Sequence, residues 1–160
     1  ESTTKMRGGD KPIPPEEYRA IAQNVPVVSI DLLVHHKAGI VLGKRKNEPA
    51  KGEWFVPGGT VLKGETLIDA VHRVAQEELG SDVVVDGRLG TYEHFYDAAA
   101  TEGVESKQYL ATAFIVTPRR STLEPDEQHD SLRVFDAPFS ELHNFVERYI
   151  HDLQAEGYRY

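Results

Sequence analysis

Apolar and polar positions along the chain fall into segments with different periods. From Val25 to His35 the sequence reads VPVVSIDLLVH, dense in β-branched residues, and predicts a strand that Asp31 interrupts. Lys37-Ala38-Gly39 supplies a turn, and Ile40–Arg45 is expected to pair back as a hairpin. A polar loop, 46–53, precedes the short strand WFVPGG. Thr60–Leu62 reads as extended and Lys63-Gly64 as a turn. Further strands are expected at 82–97, 108–117 and 131–135, with 98–106 a loop. Three helices complete the pattern. Pro14-Pro15-Glu16-Glu17 opens a short one to about Gln23, with acids in its first turn. Thr66 and Asp69 stand in a capping-box arrangement before a helix that runs to Leu79, where Gly80 stops it. The last helix is expected over about 139–155, with its stripe Leu142, Phe145, Val146, Tyr149, Ile150 and Leu153 at helical spacing. The reading is a single α/β domain over 14–160, a mixed sheet with a central and a terminal helix packed on it. Residues 1–13 are expected to be a disordered leader.

The central helix carries a carboxylate in an unexpected phase. At 100° per residue from Leu67, Val71 lies near 40°, Val74 near 340° and Ala70 near 300°, roughly the buried stripe. Glu78 falls near 20°, in the middle of that stripe, and Glu77 near 280°, about its edge. A carboxylate aimed at a core is costly unless a cation or strong donors meet it. A paired-carboxylate Mg²⁺ site is one solution; fraying before Gly80, which would turn Glu78 outward, is another.

Composition narrows the chemistry. The chain has 160 residues, 18 basic and 26 acidic, for a net charge of -8, and 39% are hydrophobic. That length supports one core. No apolar run approaches the roughly 20 residues of a membrane span. The acid excess argues against a general nucleic-acid binder. With no cysteine, thiolate metal sites and disulfides are excluded, so a bound metal must use oxygen or imidazole. A reducing cytoplasm is compatible and is the expected location.

Gly59-x5-Glu65-x7-Arg73, followed by Glu77-Glu78-x-Gly80, resembles the Nudix box, G-x5-E-x7-R-E-U-x-E-E-x-G-U, where U is a bulky apolar residue. Three positions depart from it: Val74 replaces the Glu that follows the box Arg, Ala75 takes the first U position, and Ser81 takes the last. Ser29-Ile30-Asp31, Leu42–Arg45, Trp54–Gly59, His94–Asp97 and Pro125–Asp130 further resemble the GDP-mannose mannosyl hydrolase branch, over most of 16–136. Thr60, where that branch has a basic residue, and Leu132–Phe135, which lacks its aromatic-rich strand, depart from it.

The resemblance implies a Nudix α/β/α sandwich and Mg²⁺-dependent hydrolysis of a nucleotide sugar, GDP-mannose or GDP-glucose. Water attacks the anomeric carbon to give GDP and free sugar. Mn²⁺ is the alternative metal, and a homodimer is expected. Carried onto this chain, the metal ligands are the Gly58 carbonyl, Glu78 and Gln128, with Glu77 an additional candidate. His129 is the general base. Arg45 and Arg73 neutralise the departing diphosphate, and Asp31 and Tyr109 sit at the substrate. His94, which opens HFYD, reads equally as a substrate-binding residue of the cleft and as a structural one. Two readings compete with it. Retained Glu77 and Thr60 suit a Nudix pyrophosphatase attacking phosphorus, and Val74 suits a module that binds without turnover.

Overall fold

The computed structural model describes residues 13–46, 51–97, 106–123 and 129–160, with the side chains of 129–131 left aside. Helix α1 (Pro15–Asn24) leads into strand β1 (Val27–His36), hairpin partner β2 (Gly39–Arg45), and the short strands β3 (Trp54–Phe55) and β4 (Gly58–Thr60). Helix α2 (Leu67–Leu79), strands β5 (Val83–Tyr96), β6 (Lys107–Pro118) and β7 (His129–Phe135), and helix α3 (Asn144–Ala155) follow. The sheet is mixed. β1 pairs in parallel with β6, and its other pairings are antiparallel. β3 and β4 pair with β2 and β1 respectively, and β7 pairs with β2.

α2 covers one face of the sheet and α3 the other, where α1 also packs through Ala22 on Val27. Ile30, Leu32, Val34, Val41, Phe114 and Val116 meet Ala70, Val71, Val74, Ala75 and Leu79 of α2. Leu33, Ile40, Leu42 and Ile115 meet Val146, Tyr149, Ile150 and Leu153 of α3. Burying each such side chain stabilises by roughly 1.5–3 kcal/mol, which is why the 3.6-residue stripe of each helix selects its face. This is the mixed sheet with a central and a terminal helix that the pattern predicted, and the α/β/α sandwich that the resemblance implied.

The expected boundaries hold for α2. Thr66 accepts from the Asp69 N–H, the Asp69 carboxylate accepts from the Thr66 N–H, and Gly80 closes the helix at φ 67°. Two expectations are corrected. Asp31 does not interrupt β1, because its carboxyl finds a partner inside the protein and the ladder to β6 continues through Asp31↔Ala113. The last helix begins at Asn144, not near 139. Glu141 has φ 58°, outside the helical region, and the His143 ring accepts from the Phe145 N–H as the cap. Leu142 is buried nonetheless, just outside the helix.

β5 contains irregularities at Val85/Gly87 and Arg88/Gly90. Each bulge shifts the side-chain phase by one residue, so the two together restore it. Val83 and Val85 therefore face α2, whereas Tyr92, at the far end, packs in the α3 cluster.

Candidate active site

The site grows from the middle of β1, where the sheet must accommodate a charge. Asp31 is buried. Its Oδ2 accepts a 2.6 Å hydrogen bond from the Tyr149 hydroxyl of α3. Its Oδ1 lies against β4, where a Cβ on Gly58 would collide with it and with the Ile30 carbonyl. Gly58 is thus a close-approach glycine: the backbone can lie beside the carboxyl only without a side chain. Burial pushes the Asp31 carboxyl up to about 6, against the lowering pull of Tyr149 and of the Arg45 charge.

Arg45 ends β2, where the ladder to β7 shifts register and His129 becomes its backbone partner. Its positive charge is felt by Asp31, Tyr96 and Tyr109. Burial raises the phenols of Tyr96 and Tyr109, so both stay protonated donors. Their rings stand perpendicular, 5.7 Å apart. Asp31, Arg45 and Tyr109, scattered in sequence, therefore share one end of the sheet, and the His129 backbone joins them there. Gln128 lies outside the described residues. Tyr96 is the residue that sequence reasoning left unassigned. The signal was its place in HFYD, where the period-2 strand gives it the same face as His94.

The surroundings of His94 fit the structural one of its two readings. It is buried, stacked on Phe145 at 4.2 Å and 8°, with Tyr149 at 5.6 Å. Burial, then the nearby His143 ring, lowers its pKa to about 4. Phe95 points the other way and is exposed.

Two buried groups therefore oppose each other in acid. A histidine with a depressed folded pKa binds protons mainly when unfolded, so stability falls as pH drops from 6.5 towards 4, by at most about 3 kcal/mol. Asp31, with a raised folded pKa, binds protons earlier when folded, so its contribution rises as pH falls through 6. His94→Phe should lose less stability than wild type between pH 7 and 5, and Asp31→Asn should lose more. Urea midpoints at the two pH values check both.

On α2, Glu78 is buried on the inner face, as its phase predicted, and the fraying alternative is not realised. Glu77 is exposed and bonded to Arg73 at 3.1 Å. Arg73 is committed on all sides. Its Nε donates to Glu65 Oε2 at 2.6 Å, and its Nη2 donates to Glu65 Oε1 and to the Thr60 carbonyl. Glu65 also accepts from the Leu62 N–H. Burial works to raise the Glu65 pKa, but these bonds outweigh it and hold the carboxyl below its ordinary range. Arg73 therefore pins the loop before α2 to the helix, with three of its N–H donors on Glu65 and the Thr60 carbonyl and a fourth on Glu77. Of the box acids, Asp69 belongs to the cap, Glu65 and Glu77 to the Arg73 cluster, and Glu78 is turned inward.

Val74, at the position of the missing box Glu, is a core side chain. It is 1% exposed and packs so closely on β4 that a Cβ on Gly59 would lie 2.9 Å from its methyl. Among the described residues no group of three or more His, Asp or Glu side chains is arranged to hold a metal. The donor set nonetheless suits a hard cation: a backbone carbonyl at Gly58 and a buried carboxylate at Glu78 are both oxygen donors. Among the described residues no helix is long and apolar enough to cross a membrane.

The sandwich, the loop–helix box and Gly59 packed on Val74 of α2 define a Nudix hydrolase. The NUDIX domain profile matches residues 25–153, and the chain belongs to that family. It is 58% identical over 147 residues to the low-salt glycan biosynthesis protein Agl8 of Haloferax volcanii, across 90% of this chain and 94% of that protein. It is 43% identical to an ADP-ribose pyrophosphatase of Methanocaldococcus jannaschii, but over only 67 residues, 42% of this chain and 40% of that one. In fold it is similar to the MutT protein of Methanosarcina mazei, with a TM-score of 0.68, 19% identity, and 82% and 95% of the two chains covered.

Proposed function

We propose that this Nudix hydrolase cleaves a nucleotide sugar, GDP-mannose or GDP-glucose, by water attack on the anomeric carbon, releasing GDP and free sugar. The observation that carries this reading is Val74. Where the family box has a carboxylate that helps bind metal or activate water, this chain has an apolar side chain sealed against Gly59. The work at phosphorus that such a carboxylate supports must fall to other groups, or the reaction must occur at another atom. The relative named for glycan biosynthesis is consistent with a sugar-bearing substrate.

Glu78, the Gly58 carbonyl and Gln128 would hold Mg²⁺ or Mn²⁺. When bound, the ion supplies charge stabilisation for the departing diphosphate. Arg45 offers a planar donor fork to the same phosphate oxygens. Asp31 accepts hydrogen bonds from sugar or base. Tyr96 and Tyr109, kept neutral, donate and pack. His129 takes the proton of the attacking water, since an imidazole titrates near neutrality. Arg73 acts by holding the box loop in place, and Glu77 acts by bracing Arg73. His94 supports the wall behind Asp31 from within the aromatic cluster.

A second reading, attack at phosphorus, is favoured by the similarity of a 67-residue stretch to the ADP-ribose pyrophosphatase. Hydrolysis in ¹⁸O-labelled water decides between them. Label in the free sugar is the expected result. Label in the nucleotide, or a nucleoside monophosphate among the products, would sink carbon attack.

A further inference from the structure

We propose that Tyr149, in the last helix, is a positioning residue for the substrate site, orienting Asp31 towards the nucleotide sugar. The inference rests on the reading of Asp31 as a substrate-binding group.

The geometry supports a role beyond packing. Asp31 sits between two backbone neighbours, Ala113 of β6 and Gly58 of β4, and its side chain reaches α3. The Tyr149 hydroxyl donates to Oδ2 at 2.6 Å, while Oδ1 is pressed against Gly58. The hydrogen bond to Oδ2 holds the carboxylate in one orientation, and the bare backbone of Gly58 leaves room for Oδ1 beside it.

Tyr149 itself cannot swing. It is 0% exposed, and its ring meets Tyr92 edge-to-face at 4.7 Å with His94 on its flank. The alternative partner for Asp31 is Arg45, whose charge already acts on it. Without the Tyr149 hydroxyl, that attraction is left to draw the carboxylate towards the guanidinium, withdrawing an acceptor and a phosphate donor from the substrate together. The nearby Tyr92 provides a matched contrast. It shares the aromatic cluster, but its hydroxyl donates to Asp152 at 2.6 Å.

The test is steady-state hydrolysis with Mg²⁺ by wild type, Tyr149→Phe, Asp31→Asn, the double variant and Tyr92→Phe. The substrate is GDP-mannose or, failing turnover of that, the nucleoside diphosphate derivative that wild type hydrolyses fastest. Tyr149→Phe is expected to raise KM about tenfold with a smaller change in kcat, the scale of one hydrogen bond to a charged group. The double variant is expected to be no worse than Asp31→Asn, and Tyr92→Phe is expected to keep the wild-type KM. Wild-type KM in Tyr149→Phe, multiplying losses in the double variant, or an equal KM rise in Tyr92→Phe would each overturn the proposal. If wild type hydrolyses nothing in a nucleotide panel, the functional reading fails. The carboxyl ¹³C resonance of Asp31 then tests the link alone: a shift in Tyr149→Phe supports it, and an unmoved resonance overturns it.

Discussion

Replacing Glu78 by Gln is expected to reduce Mg²⁺-dependent hydrolysis by roughly 10³-fold, the scale seen when a group stabilising transition-state charge is removed. The fold should survive. Glu78 is buried on the inner face of α2, and an amide of the same shape is cheaper to desolvate than a carboxylate. Circular dichroism in metal-free buffer should therefore show the wild-type fold. Metal should separate the two proteins. Added Mg²⁺ raises the wild-type Tm by ligand linkage and leaves the variant nearly unmoved. Wild-type activity lost to EDTA should return on adding Mg²⁺. Undiminished turnover in Glu78→Gln would remove this carboxylate from the site and, with it, the metal assignment.

Arg73→Ala is expected to destabilise by about 3 kcal/mol or more, because it strands a buried carboxylate. The Glu65 side chain is only 3% exposed, and Arg73 is its ion-pair partner. For a domain of this size that loss lowers Tm by roughly 10 °C. Arg73→Lys should recover only part of it, since an ammonium cannot make the forked contacts to Glu65 and Thr60 together. The pH dependence should change sign. In wild type the depressed Glu65 pKa contributes stability above the unfolded glutamate pKa, lost as pH falls through the folded value. In Arg73→Ala burial acts almost alone, so the Glu65 pKa rises and its contribution is lost as pH increases. Thermal melts between pH 3 and 8 measure both effects. A variant as stable as wild type would return Arg73 to the phosphate role that the family resemblance implies.

The acid excess resolves in the same way. Asp69 caps a helix, and Glu65 and Glu77 are bonded to one arginine.

Much of this protein is determined locally and can be read one segment at a time. The capping box, the Gly80 stop, the phase of Glu78 and the stripe of the last helix depend on residues within a few positions of each other, and periodicity reports them. The spacing of Gly59, Glu65, Arg73 and Glu78 is local too, and it identified the family. Tertiary packing decided the rest. Asp31 continues a strand it was expected to break because Tyr149, 118 positions away, supplies its hydrogen bond. Arg73 became a loop pin because Glu65 and the Thr60 carbonyl converge on it from the preceding loop and strand. His94 became part of an aromatic wall because α3 lays Phe145 on its ring. Val74 could be seen as a departure from the box, but that it seals Gly59 could not. A sequence sets which groups can bond and at what local period. Which bond a polar group makes depends on what the fold brings within about 3 Å of it.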